Sequence, residues 1–377
     1  MKRLALVGAV LLAACGGPAE DPGAVGYFDL DSLDSSLVSG GQIKGHYIVT
    51  LKEGASPAAF TQARGIQATF HYDSALNGFA AWLPPGLLSQ VLADPSVAMV
   101  EEDGVATINA ETVPYGIVNV GANVSSVQAG NGSGTVTGPT AFVIDTGVQA
   151  HVDLNRVGHV NYASGKNDDC HGHGTHVAGT IGAKDTGSGV VGVAPGVAVF
   201  GVKVLNCQGS GAWSSIISGM NFVAGHSASQ KVANMSLGGG FNSSVNAAAA
   251  NMVNGNVAVA VAAGNDGGDA STHSPASEPS VLTVAAHDAN NVNASWSNFG
   301  SLVDVSAPGV SVYSTYKGGG YATMSGTSMA SPHTAGALTI YRANNPGATG
   351  AQAIAAVKAN TSGTSSRGFG RVWVGNW

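Results

Sequence analysis

Ala141-Phe142-Val143-Ile144-Asp145-Thr146-Gly147 is an apolar run that stops on a carboxylate followed by a turn-forming glycine. A strand with no polar face belongs in the middle of a sheet covered on both sides. Similar runs recur downstream at 198–205, 232–236, 257–262 and 281–285. Helical patterns lie between and after them at 174–183, 214–227, 243–254 and 328–343. Strands alternating with helices predict an α/β fold, a doubly wound parallel sheet with helices on both faces. Such sheets carry their sites at the carboxyl ends of the strands, where Asp145 falls.

Upstream the pattern changes. Strands are expected at 43–51, 66–72, 75–83 and 97–102, with helices at 57–64 and 85–93. This reads as a small α+β, ferredoxin-like unit of two helices on an antiparallel sheet. Residues 16–42, rich in Gly, Asp and Ser, read as a tether. Residues 1–15 pair Lys2 and Arg3 with an apolar run from Leu4 to Ala14, the form of an export signal and too short to span a bilayer. The ending Leu12-Ala13-Ala14-Cys15 resembles a bacterial lipoprotein signal with Cys15 lipidated, and a plain signal peptide is the alternative. The expected location is therefore secreted or cell-surface.

With 44% hydrophobic and 10% charged residues the chain can bury a large core, so a disordered protein is excluded. Its 55 glycines follow no Gly-X-Y period, which excludes collagen. Of the net charge of -7, most sits early: residues 16–110 hold 3 basic and 11 acidic residues, residues 111–377 hold 10 and 11. No basic cluster suggests a nucleic-acid surface. No further stretch reaches transmembrane length, and a monomer is expected.

Chemistry concentrates in a few stretches. Asp145 alone reads as a cap or turn residue. Cys170-His171-Gly172-His173-Gly174-Thr175-His176 offers three imidazoles within six residues, and zinc is one use for them. No carboxylate stands before His176 to activate a water, and the small residues that follow suggest a tightly packed helix aiming one histidine at a cleft. His171 and His176 read as structural or surface residues. In Gly326-Thr327-Ser328-Met329-Ala330-Ser331-Pro332-His333 a long helix begins, with Pro332 placed in its first turn. Ser328 at that end is an N-cap or a nucleophile favoured by the helix dipole. Ala262-Ala263-Gly264-Asn265 closes another strand with an amide, a turn residue or an oxyanion donor.

Together these stretches resemble the subtilisin-like serine peptidases, most closely their proteinase K branch, over residues 136–345. The resemblance implies a serine endopeptidase in which Asp145 orients His173, His173 takes the proton of Ser328, and Ser328 attacks the peptide carbonyl. Asn265 and the Ser328 N–H would form the oxyanion hole. Ser236, Leu237, Gly238 and Gly239 resemble the edge that pairs with an extended substrate, and Gly209 and Gly211 the opposite wall. With Ala262, Ala263 and Gly264 lining the primary pocket, no charge is expected there, and apolar or aromatic residues should be preferred.

The resemblance also makes residues 43–110 an inhibitory propeptide removed by self-cleavage near Ala110–Glu111, leaving 111–377. Calcium is implied at the carbonyls of Pro279 and Val281 and the Asp304 carboxylate, with an empty loop as the alternative; oxygen ligands suit that ion. Cys170 and Cys207 remain after Cys15. An even pair in an exported chain reads as a disulfide, as relatives bridged at these positions also imply, against two buried thiols.

Three rivals are weaker. A lipase-like hydrolase needs G-x-S-x-G and the order Ser, Asp, His, whereas the order here is Asp, His, Ser. A zinc hydrolase would yield to a chelator and not to a serine-directed phosphonate. An inactive, subtilisin-shaped binder has no use for all the catalytic positions and a propeptide.

Overall fold

The computed structural model describes residues 38–39, 42–104 and 111–377. The signal-like segment, Cys15, most of the tether and Ala110 lie outside the described residues. The chain divides into two compact units, Met1–Ile108 and Asn109–Trp377.

The first unit runs β1 (Val38–Ser39), β2 (Gln42–Leu51), α1 (Pro57–Arg64), β3 (Ala68–Tyr72), β4 (Gly78–Trp82), α2 (Pro85–Leu92) and β5 (Val97–Gly104). Its antiparallel sheet has the order β1-β2-β4-β3, with β5 on β2. The strand β1 corrects the reading of 16–42 as a tether throughout. Val38 and Ser39 turn back onto Ile43 and Gln42, held by backbone pairing that leaves no apolar alternation to read. Helix α1 starts cleanly because the Ser56 hydroxyl accepts from the Ala59 N–H and Pro57 sits where its missing N–H costs nothing. Val49, Phe60, Phe79 and Val91 form the core, the two rings 5.6 Å apart.

The second unit runs α3 (Tyr115–Asn119), β6 (Thr140–Asp145), β7 (Asn155–Asn161), α4 (His173–Gly182), β8 (Ala198–Lys203), α5 (Trp213–Gly225) and β9 (Lys231–Met235). It continues with β10 (Gly239–Gly240), α6 (Ser243–Asn254), β11 (Val257–Ala262), β12 (His273–Ser274), β13 (Leu282–His287) and β14 (Val305–Pro308). The hairpin β15 (Val312–Thr315) and β16 (Tyr321–Met324), α7 (Thr327–Asn344), α8 (Gly350–Ala359), β17 (Thr361–Thr364) and β18 (Gly370–Val372) complete it. Nine strands form one sheet in the order β17-β18-β14-β13-β11-β9-β6-β8-β7, parallel except at β17. The central strands are buried along their whole length, as in the Val-Ala alternation of β11. Asp145 ends β6 at its carboxyl end, in register with Lys203 at the end of β8.

One detail differs from the sequence reading. Helix α7 begins at Thr327, so Pro332 is its sixth residue and lies beyond the first turn. A proline there cannot donate to the carbonyl four residues back, that of Ser328. The Ser236 hydroxyl donates to that oxygen instead, at 2.7 Å.

Candidate active site

Asp145 is fully buried at the end of β6. His173 opens α4, and its Nδ1 lies 2.7 Å from Asp145 Oδ1. Helix α4 comes this close because residue 174 is glycine: a Cβ there would sit 2.0 Å from the Gly147 carbonyl oxygen. Burial alone would pull the imidazole towards its neutral form. The Asp145 charge, its hydrogen bond and the more distant Asp169 outweigh that and hold the His173 pKa above its ordinary value.

Ser328 is the second residue of α7 and makes no capping bond. Its Oγ donates to the Ser236 carbonyl at 3.1 Å, so the N-cap alternative falls away. A network behind it fixes the helix start: Ser331 Oγ donates to Asn234 Oδ1 (2.7 Å) and Asn234 Nδ2 to Ser236 Oγ (2.9 Å). Asn265 Oδ1 accepts from both the N–H and the hydroxyl of Thr327. With its oxygen so committed, Nδ2 faces away. A Cβ built on Gly326 would lie 3.5 Å from the Ser328 nitrogen and 3.6 Å from Asn265 Nδ2, so the two donors flank one small space beside Ser328. Two N–H donors that face one space can share a single anionic oxygen.

Two adjoining clefts surround these groups. One, of about 530 Å³, holds His173 and Ser328, with Gly209 and Gly211 on one side and Ser236, Leu237, Gly238 and Gly239 on the other. The second, about 310 Å³, is lined by Ala262, Ala263, Gly264 and Asn265. Every expected cleft residue is thus at one place. The second cleft also contains Asp266 and His273, 3.1 Å apart, where the sequence reading had no charge. Gly264 has φ +109°, and a Cβ there would strike Asn298 Nδ2, which braces the loop by donating to the Ala263 carbonyl.

The remaining histidines divide. His171 lines the first cleft, its ring 6.2 Å from that of His173. His176 is fully buried and its Nε2 faces the carbonyls of Val312 and Ala322, both at 3.0 Å, a structural post with its pKa pushed down by burial to about 4. Cys170 and Cys207 are joined as a disulfide, tying the loop before His173 to the loop that carries Gly209. Sequence reasoning missed Asn234, Ser331, Asn298, Asp169 and Lys203. The last two are charged residues buried beneath the cleft, and nothing in their local sequence marks them.

Asp304 lies apart from the cleft. Its Oδ2 accepts from the Thr283 N–H at 2.9 Å, and its Oδ1 is paired with the Lys358 ammonium. Among the described residues no group of three or more acidic, histidine or cysteine side chains gathers into one place, and no helix is long and apolar enough to cross a membrane.

A serine at a helix start, a histidine on a buried aspartate and a doubly wound sheet define a serine hydrolase. Residues 137–371 match the sequence model of the subtilase family, and the chain belongs to that family. It is a serine protease. It is 41% identical to the alkaline serine protease ver112 of Corniculantispora psalliotae, over 89% of this chain and 88% of the relative. It is 41% identical to proteinase R of Parengyodontium album, over 94% of each. A crystal structure of a cold-adapted subtilisin-like serine proteinase superposes with a TM-score of 0.59 at 40% identity, covering 63% of this chain and 88% of the other.

Proposed function

We propose that this protease acts through an acyl-enzyme on Ser328, with His173 as general base and Asp145 as the group that orients it. The observation that carries the reading is the buried Asp145 carboxylate 2.7 Å from His173 Nδ1, in the cleft that also holds Ser328. A serine hydroxyl is a weak nucleophile and needs such an oriented base. The Ser328 proton passes to His173, and the imidazolium then returns it to the departing amine. Asn265 Nδ2 and the Ser328 N–H receive the negative charge of the tetrahedral intermediate. The exposed backbone of Gly238 leaves room for an extended peptide to lie as an added strand. The apolar walls of the second cleft favour apolar and aromatic residues before the scissile bond.

The protein works as an exported monomer made as a precursor, with residues 43–110 as its inhibitor and the cut near Ala110–Glu111. Glu111 and Thr112 support a boundary at this point, since their N–H groups are tied to the carbonyls of Gly187 and Gly189 in the second unit. Export rests on the Lys2, Arg3 and Leu4-to-Ala14 pattern, and lipidation of Cys15 on the four-residue ending alone. Calcium is proposed as a stabiliser at Pro279, Val281 and Asp304. The oxygen donors suit it, but the Lys358 ammonium competes for the same carboxylate, so the ion fits only once that exposed side chain swings away.

Ser328→Ala tests the reading. Loss of a triad nucleophile lowers rate by on the order of 10⁶, far too much for self-cleavage within hours. The variant should accumulate as a folded precursor while the wild type appears as two fragments by mass spectrometry in a protease-deficient host. Maturation of the variant at the wild-type rate would remove Ser328 from the role.

A further inference from the structure

Beneath the cleft lies a set of buried charges that the proton relay does not use. Lys203 ends β8 and is completely buried. Its Nζ donates to the carbonyls of Thr146 (2.7 Å) and Leu205 (2.8 Å), with Cys170 Sγ at 3.7 Å. Among the described residues it makes no ion pair with a carboxylate at contact distance. Thr146 links this cation to two buried anions. Its N–H donates to Asp145 Oδ1 at 2.6 Å, the oxygen that faces His173. Its hydroxyl donates to Asp169 Oδ1 at 2.9 Å and accepts from the Gly174 N–H.

Asp169 is 1% exposed and is held ionised by donors on every side. Its Oδ1 also accepts from His171 N and Gly172 N, and its Oδ2 from the N–H and hydroxyl of Thr175. Burial pushes its pKa up, yet these bonds keep it below the usual carboxylate value. Lys203 is drawn down by burial, against the attraction of Asp169, Asp145 and Asp168.

Two buried carboxylates and one buried ammonium therefore converge on Thr146. With His173 neutral the set carries one net negative charge, and with His173 protonated it carries none. The added negative charge of Asp169 would by itself favour the protonated imidazole and so weaken it as a base. We propose that Lys203 and Asp169 are opposed positioning residues that act on His173 through Thr146, Lys203 offsetting Asp169 so that the cluster is charge-balanced once the imidazole holds the Ser328 proton. This rests on the reading of His173 as general base. The other charged or titratable groups around it are His171 in the same cleft, neutral His176 on its own helix, the half-exposed Asp168, and Tyr316 and Lys317, which bond the carbonyls of His171 and Cys170. The Lys317 contact is exposed and screened by solvent.

The test is the acid limb of kcat/KM against pH, per active site counted with a serine-directed phosphonate. Lys203→Gln, which keeps a donor and removes the charge, should move that limb up by about one pH unit. Asp169→Asn should move it down by a similar amount, about one unit. The double variant should return to within a few tenths of a unit of wild type, which loss of structure alone would not do. Unmoved limbs in the single variants, or shifts of one sign in both, overturn the proposal. If Lys203→Gln fails to fold, Asp169→Asn and the smaller downward shift expected of Asp168→Asn decide it, and unmoved limbs in both overturn it. Failure of the general-base reading is told apart by wild type that resists the phosphonate or a His173→Ala variant that stays active.

Discussion

The carbonyl of Ser328 has a partner only because of a second residue some ninety positions earlier. Pro332 withholds the N–H that a helix would normally offer, and Ser236 supplies a hydroxyl. The same serine receives the Ser328 Oγ on its own carbonyl, so it grips the proposed nucleophile from two sides. Ser236→Ala should leave a part-buried carbonyl without that donor, at a cost of about 1 kcal/mol. Adding Pro332→Ala should recover part of the loss, since the new backbone N–H can donate within the helix. Urea unfolding of the phosphonate-inhibited proteins measures both, and a double variant no more stable than the single would refute the substitution of one donor for the other. At this scale the site was half legible. Asp145 and Ser328 read singly as cap or turn residues, and with His173 they were legible only together, through the resemblance that their flanking motifs carry. Lys203 was not legible, because a lysine within the apolar run 198–205 gives no sign of where its ammonium goes, and only the three-dimensional fold reveals that it stays inside.

Among the elements, the turn before β14 and helix α8 meet at Asp304, where Lys358 and a calcium ion would compete. Chelation should lower the melting temperature while phosphonate-sensitive activity persists in the cold. Lys358→Ala, which removes the competing cation, should steepen the dependence of the melting temperature on added calcium. A melting temperature indifferent to calcium in both proteins would assign the carboxylate to Lys358 alone. The elements found from sequence were those with a one-sided or wholly apolar signal: α1 and α6 have the expected bounds, and β11 does too. Strand β7 was missed because Asn-Arg-Val-Gly-His-Val-Asn is an edge strand with no continuous apolar face. Strand β14 was missed because it is four residues long and ends on a proline. Helix α8 is set by a Thr349–Gln352 capping box, a signal of single residues rather than of period.

For the second unit as a whole, three completely buried histidines govern the behaviour in acid. Burial pulls His176 and His333 down to about 4 and His287 to about 3. Each is neutral in the fold and would take up a proton near its ordinary pKa of about 6.5 once unfolded. The unfolded chain thus binds more protons in this window, and stability falls as pH drops from about 6.5 towards 4. Glu111 pulls the other way, because burial and Asp185 raise its pKa to about 7, and so does His173, whose pKa is held above its ordinary value. The three lowered histidines outnumber these two. The melting temperature of the inhibited enzyme should fall by on the order of 10 °C between pH 7 and 4.5. A flat profile would mean that these imidazoles stay neutral, or become exposed, without cost.

The place of β6 in the sheet has a consequence for how the molecule is made. This strand is the first of the large sheet to be synthesised, yet it lies between β8 and β9, which come later in the chain. At ribosomal speeds of 5–20 residues per second, the segment ending in Asp145 waits roughly 4–17 s for β9 to be translated. During that interval an apolar ribbon with at least one bare edge is exposed to its neighbours, the condition under which chains stick to one another. Yield on overexpression should be limited by that wait rather than by the stability of the finished enzyme.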